Sequence, residues 1–285
     1  YMISVEIDKN AGFCGGVIRT ISTAEKFLST HAHLYSLGEV VHNESEIDRL
    51  SSMGLVALDV EDLYDIENAG DEPILIRAHG QPPYIYDLLK EKHFQIIDCT
   101  CTVVLGIQKK IREAEGTVII FGKKGHPEVQ GLVGQVEPSR VKIVETFNDA
   151  RELVDKEELS GHCEIFAQTT RSPEEYKQIW EFLSASIPDL VVHDTICKQV
   201  ASRYEQLREF ASTHDVIVFV SGRSSSNGKV LSELCKSVNF RTYQVGGVSE
   251  IQANWFRPED KVGISGATST PGWLLEQVAS YVAGL

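Results

Sequence analysis

The chain has 285 residues, 42% hydrophobic and 24% charged, with a formal charge of −14 at pH 7. That length is enough for one large α/β domain or for two to three small modules with ample core. The acidic balance excludes nucleic acid as a general partner, because a phosphate backbone demands a basic face. A small phosphorylated ligand, which needs only local donors, stays open.

The first residues alternate toward a strand over 3–7, and an amphipathic pattern predicts a helix over 17–28, with "GFCGG" (12–16) at the junction. Strand-like runs then recur as "HLYSL", "PILIRA", "FQIID", "TVIIF", "VKIVE", "EIFAQ", "LVVHD", "DVIVFV", "RTYQV" and "KVGISG". Helical patterns follow most of them: "SEIDRLSSMG", "PPYIYDLLKEKH", "TVVLGIQKKIREAEG", "PEEYKQIWEFLSAS", "KQVASRYEQLREFAS" and "PGWLLEQVASYVAG". This alternation predicts βα units around parallel sheets, and ten or more strands are too many for one small sheet. The apolar runs are too short to span a bilayer, and no basic-then-apolar leader precedes them. A cytoplasmic protein without a membrane partner is therefore expected.

Chemistry-bearing residues gather where strands give way to helices: His42 with Asn43, His79, Cys101, His126 with Glu128, Thr169, Cys197, Ser224 to Asn227, and Ser269. In open parallel sheets that carboxyl edge is where ligands bind. Capping propensity accounts for Ser, Thr and Asn at such places but gives no reason for His, Cys and Glu to share them.

Of six cysteines, Cys14, Cys101 and Cys197 occupy such junctions, roughly ninety residues apart, in a spacing that suits three similar small modules. Cys163 and Cys235 fall within a strand and a helix and read as core, and Cys99 lies two residues before Cys101 on the same strand face. Three cysteines without a local C-x-x-C pair argue against a zinc ribbon. They suit an iron–sulfur cluster with one iron open to substrate. Flanking glycines let the backbone approach such a cluster. An aconitase-like iron–sulfur hydro-lyase and a non-enzymatic zinc- or redox-sensing module are alternatives at this point.

In order along the chain, "GFCGGV", "EVVHN", "RAHG", "DCTC", "GHPEVQG", "QTT", "DTIC", "SSSN" and "GATSTP" resemble the motifs of the LytB family of 4-hydroxy-3-methylbut-2-enyl diphosphate reductases. The resemblance implies an α/β fold of three similar small modules with parallel sheets arranged around a central iron–sulfur cluster. We place the modules at 1–98, 99–193 and 194–269, with the segment 270–285 packing on the first. It implies a 4Fe–4S cluster on Cys14, Cys101 and Cys197, its fourth iron open to the allylic hydroxyl of the substrate. His42 and His79 resemble diphosphate-binding histidines. Ser225, Ser226, Asn227 and Ser269 resemble the rest of the diphosphate cradle. His126, Glu128 and Thr169 resemble the group that positions the hydroxyl and delivers protons, with Glu128 as the acid.

The implied partners are an allylic diphosphate and an external electron donor such as ferredoxin or flavodoxin with its reductase. The reaction implied is a two-electron, two-proton reductive dehydroxylation to isopentenyl and dimethylallyl diphosphate, the last step of the methylerythritol phosphate route. Ser/Asn donors at a helix start suit a diphosphate, and G-x-x-x-x-G-K-[ST] is absent from the sequence. The chain departs from the family pattern in places. Cys99 and Thr102 replace Ala and Pro around Cys101, and Thr268 stands in a loop that more often reads T-A-G-A-S. Gln199-Val200 replaces an Ala-Thr pair, which is expected to remove a polar contact near the site.

Overall fold

The computed structural model describes residues 3–285. In chain order the elements are β1 (Ser4–Ile7), α1 (Gly15–Leu28), β2 (Leu34–Leu37), α2 (Glu44–Ser52), β3 (Leu55–Leu58), α3 (Val60–Asp65), β4 (Pro73–Ile76), α4 (Pro83–Glu91) and β5 (Gln95–Asp98). There follow α5 (Thr102–Glu113), β6 (Thr117–Phe121), α6 (Pro127–Val133), β7 (Val141–Val144), α7 (Phe147–Asp155), β8 (Cys163–Ala167), α8 (Pro173–Ser186) and β9 (Leu190–Val192). The chain ends with α9 (Lys198–Ser212), β10 (Val216–Val220), α10 (Ser226–Val238), β11 (Thr242–Val245), β12 (Lys261–Gly266) and α11 (Gly272–Ala283).

The strands form three four-stranded sheets, ordered β1-β12-β10-β11, β3-β2-β4-β5 and β7-β6-β8-β9. The expected class, small α/β modules with parallel sheets, is what the chain forms. β1 pairs with β12 in parallel, Ser4 opposite Lys261 and Ile7 opposite Ile264, so the first strand joins the sheet built from residues 216–266. β3, α3, α6 and α7 lie outside the runs read from the sequence. In β3 only Leu55 is buried and Val56 is 42% exposed, so this four-residue edge strand carries no alternation to read.

The chain divides into two compact units, one from the amino end to Ala57 together with Lys198–Leu285, the other Leu58–Cys197. In the first, every residue of β10 is buried, as central strands of parallel sheets are when helices cover both faces. Val216, Val218 and Val220 pack with Leu274, Leu275, Val278 and Val282 of α11. In the second, Val118 and Ile120 of β6 and Phe166 of β8 pack with Ile107 and Ile111 of α5 and Val129 and Leu132 of α6. Each such side chain stabilises the fold by about 1.5–3 kcal/mol. Among the described residues no helix is long and apolar enough to cross a membrane.

Helix starts are capped by the residue types expected to mark them. Asn43 Oδ1 accepts from Glu46 N, Ser172 Oγ from Glu175 N and Ser225 Oγ from Gly228 N. Thr146 and Asp149 form a reciprocal capping box on α7. These caps fix where the loops before α2, α7, α8 and α10 end, whereas α1, α4, α5 and α11 start without a side-chain cap bond.

Candidate active site

In the unit Leu58–Cys197, His79 and Cys101 follow β4 and β5, and His126 precedes α6. Thr169 follows β8, and Cys197 ends the unit after β9. All stand at carboxyl ends of parallel strands, where crossover loops converge. The loops are tied together link by link. Cys101 N donates to Ala78 O at 3.0 Å, which places Cys101 beside the residue before His79. The rings of His79 and His126 meet edge to face with centroids 5.4 Å apart. Cys197 N donates to Thr169 O at 3.0 Å.

At the centre of this set is Glu128, 2% exposed. Thr169 N donates to its Oε1 at 2.7 Å and Thr169 Oγ1 donates to its Oε2 at 2.7 Å. Burial pushes the carboxyl up to about 7, against the two Thr169 bonds that pull it down. A carboxyl so placed carries a proton near neutral pH and gives it up readily, as a general acid must. His126 caps α6 through Nδ1, which accepts from Glu128 N at 3.2 Å, so in its neutral form the ring holds its proton on Nε2.

The other unit holds Cys14, His42, Ser225, Ser226, Asn227 and Ser269. Gly12 adopts φ +103, a left-handed conformation that favours glycine, and two residues later Cys14 N donates to Thr268 O at 3.2 Å. At α10, Ser225 Oγ lies 3.1 Å from Ser269 Oγ. Asn227 Oδ1 accepts from both Thr268 N and Thr268 Oγ1, at 3.1 and 3.0 Å. This double acceptance fixes the carboxamide, aiming its NH2 away from Thr268. Asn227 Nδ2, Ser226 Oγ and Asn43 Nδ2 are all buried and have no hydrogen-bond partner. Gly222 brings the two loops together: a Cβ there would lie 2.4 Å from His42 O. On the same side, Glu44 accepts from the backbone N–H groups of Arg223 and Ser224.

Three buried donors without acceptors, two of them in the first turn of a helix, leave an oxygen-rich anion as the natural complement. The sequence pointed to Ser226 and Asn227. It placed Asn43 at a junction without assigning it a role, because an Asn before a helix reads as a cap, which Asn43 also is. It marked Thr268 only as a departure from the family pattern, without a role; its bonds to Asn227 supply one.

The six cysteines separate by exposure. Cys14, Cys101 and Cys197 are partly exposed, whereas Cys99, Cys163 and Cys235 are buried. Cys14 and Cys101 are the N-cap residues of α1 and α5, with no cap bond from the thiol, and Cys197 directly precedes α9. Negative charge is favoured at such helix starts, so the donor set and its placement fit an anionic metal–sulfur group. Burial pushes the Cys235 thiol up to about 12, as befits a core residue. Gln199, in place of the family's usual Ala, supplies a contact: its Oε1 accepts from Gly15 N at 3.4 Å, while Val200 is buried in the core. The polar contact expected to be lost at this pair is thus matched by one gained next to Cys14. Behind it, Asp8 accepts from Arg203 Nη1 at 3.1 Å and from Ser265 Oγ at 2.8 Å, a buried ion pair joining the end of β1 to α9.

Comparison with known proteins gives a consistent answer. A family model described as LytB protein matches residues 5–283. The 4-hydroxy-3-methylbut-2-enyl diphosphate reductase of Bacteroides fragilis is 42% identical over 99% of this chain and 98% of its own. A solved structure of (E)-4-hydroxy-3-methyl-but-2-enyl diphosphate reductase, the terminal enzyme of the non-mevalonate pathway, is 31% identical with a TM-score of 0.72 and full coverage of both chains. The E-1-hydroxy-2-methyl-but-2-enyl-4-diphosphate reductase of Plasmodium falciparum is 26% identical with a TM-score of 0.85, over 98% of this chain and 88% of that one. A chain matched by the family model over nearly all its length, and this similar to named members, belongs to the LytB protein family.

Proposed function

We propose that this protein is a 4-hydroxy-3-methylbut-2-enyl diphosphate reductase, removing the allylic hydroxyl of its substrate to give isopentenyl and dimethylallyl diphosphate. The reaction balances as one C–OH, two electrons and two protons giving one C–H and one water. The observation that carries the reading is Glu128, a buried carboxyl with a pKa of about 7, held on both oxygens by Thr169 at the start of α6. Family membership favours this reaction over the hydro-lyase and sensor alternatives.

Cys14, Cys101 and Cys197 would hold a 4Fe–4S cluster with three protein ligands. When bound, the cluster supplies electrons and a Lewis-acidic iron that weakens the C–O bond. The remaining work falls to the chain's own groups. Ser226 Oγ and Asn227 Nδ2 donate to diphosphate oxygens, with Ser225 and Ser269 completing the cradle and His42 and His79 adding donors. Histidines beside a bound diphosphate gain positive charge, because the anion raises their pKa. Thr169 Oγ1, already bonded to Glu128 Oε2, relays the Glu128 proton to the departing oxygen by rotating its hydroxyl. His126 fixes the amide of Glu128 and, through Nε2–H, orients the substrate hydroxyl. The electron donor is a low-potential carrier protein such as ferredoxin or flavodoxin with its reductase.

Purification without oxygen, followed by iron and sulfide analysis and turnover with dithionite-reduced methyl viologen, tests this reading. Iron–sulfur protein that converts the substrate only when reductant is present is expected. Iron-free protein carrying tight zinc, or turnover that needs no reductant, would contradict it.

A further inference from the structure

The electron donor must dock on a protein of charge −14, and the charge is not evenly spread. Residues 99–127 hold five basic side chains, Lys109, Lys110, Arg112, Lys123 and Lys124, against two acidic ones, Glu113 and Glu115. The first three lie on α5, which has no acidic residue from Thr102 to Arg112. Its buried face is Val104, Ile107, Gln108 and Ile111. Its outer face puts two large apolar side chains in water, Val103 at 40% and Leu105 at 43% exposure.

Between them on the helix surface lies Gly106, where an added Cβ would meet nothing within 4 Å. Glycine inside an exposed helix costs about 0.5–1 kcal/mol relative to alanine, so this notch weakens α5 without serving the core. Val103 and Leu105 stand on opposite flanks of this face, about 160° apart at 3.6 residues per turn. The glycine notch lies between them, and Lys109 and Lys110 are exposed about a turn further on, a mixed apolar and basic surface of the kind a transient protein interface uses. Lys109 has only a 3.8 Å pairing with Glu113 on the exposed helix surface, a weak contact that leaves its charge available. The N-cap of this helix is Cys101. At the α-helical rise, Leu105 and Lys109 lie only about 6 and 12 Å along the axis from that cysteine.

We propose that the outer face of α5, centred on Leu105, Gly106, Lys109 and Lys110, is the docking surface for a small acidic one-electron carrier protein. The inference rests on the reductase reading above and adds where the electrons enter. Each encounter transfers one electron and releases an oxidised carrier. Two reduced carriers, two protons and one substrate therefore yield one product, one water and two oxidised carriers. Charge complementarity steers the encounter and weakens as salt screens it.

The test compares the cluster-loaded wild type with Lys109→Glu/Lys110→Glu and with Leu105→Ala, driven either by reduced flavodoxin or by dithionite-reduced methyl viologen. In the double variant the KM for flavodoxin should rise on the order of tenfold at low salt, the loss of about one good charge contact. Turnover with methyl viologen, which needs no docking face, should stay within about twofold of wild type in both variants. Direct titration with flavodoxin should show binding to the wild type that the double variant loses, a readout independent of turnover. Unchanged flavodoxin kinetics and binding would overturn the proposal. A changed sedimentation mass with unchanged carrier binding would overturn it too, making this face a contact between copies. A wild type that binds flavodoxin yet never turns over with methyl viologen would count against the reductase reading and not against the docking face.

Discussion

Glu128 and Asn227 are both nearly fully buried polar side chains in the first turn of a helix, yet their partners are arranged in opposite ways. Both oxygens of Glu128 are occupied by Thr169, and the fold alone sets its pKa near 7. Asn227 has its oxygen satisfied by Thr268 while its NH2 is buried without an acceptor, as are Ser226 Oγ and Asn43 Nδ2. A buried unsatisfied donor costs on the order of 1–3 kcal/mol, so on the proposed reading a bound anion would satisfy the cradle, whereas the hydrogen bonds of Glu128 come from the chain itself. The proposal thus gives one region partners from the fold and the other partners from its ligand. Substitutions in the two regions should therefore separate stability from activity in different directions.

The largest effect is expected at the cysteines. Cys14→Ser, Cys101→Ser and Cys197→Ser should each lose most bound iron after anaerobic purification, while Cys163→Ser and Cys235→Ser keep it; iron content per chain reads this directly. Retention of iron by Cys101→Ser together with its loss from a Cys99→Ser variant would shift the ligand to Cys99, against its burial at 2% exposure.

Next comes Thr169→Val, which removes the Oγ1 donor but keeps the backbone N–H bond. Turnover should fall roughly ten- to hundredfold, the lower range for a displaced proton donor. On the proposed reading Glu128 must be protonated to act, so wild-type turnover should decline as pH rises through about 7. The lost hydroxyl had pulled that pKa down, so the decline in the variant should move to higher pH. A profile with no alkaline decline, or one that moves to lower pH, would break the picture of Glu128 as a pre-set acid.

Smaller effects sharpen the cradle side. Ser226→Ala removes a hydroxyl with no protein partner, so thermal stability should hold or rise while the KM for the diphosphate substrate increases several-fold. Ser225→Ala removes the α10 cap and should cost about 1 kcal/mol of stability in addition. Inorganic diphosphate should raise the melting temperature of the wild type, since a ligand that binds only the folded state stabilises it, and raise that of Ser226→Ala less. Equal shifts in both would mean that the buried Ser226 hydroxyl does not face the anion.

Much of this was legible beforehand because parallel α/β folds write themselves in short apolar runs and put chemistry at strand ends. The runs that became β4 and β10 are apolar throughout, and those of β6 and β8 are broken only by Thr117 and Glu164, so all four are easy to see. β3 was not, being a half-exposed edge of four residues, and α7 was hidden because its signal is a capping box on a mostly polar helix. Cys14, Cys101 and Cys197 stood out through spacing, and all three are partly exposed. Residues whose importance lies in a contact could not be read from one position. The Thr268 hydroxyl acquires meaning only when Asn227 Oδ1 is found beside it, and Gln199 only when Gly15 N is found to donate to it. The pKa of Glu128 likewise depends on burial by residues that lie far away in sequence.

The most direct test is Glu128→Gln, isosteric and unable to carry an acidic proton, assayed for iron and for turnover in the same anaerobic sample. Wild-type iron content with turnover reduced at least about 100-fold, and with no alkaline decline near pH 7 in what remains, is the expected result. An iron-replete variant that reduces 4-hydroxy-3-methylbut-2-enyl diphosphate at close to the wild-type rate would contradict the assignment of Glu128 as the proton source.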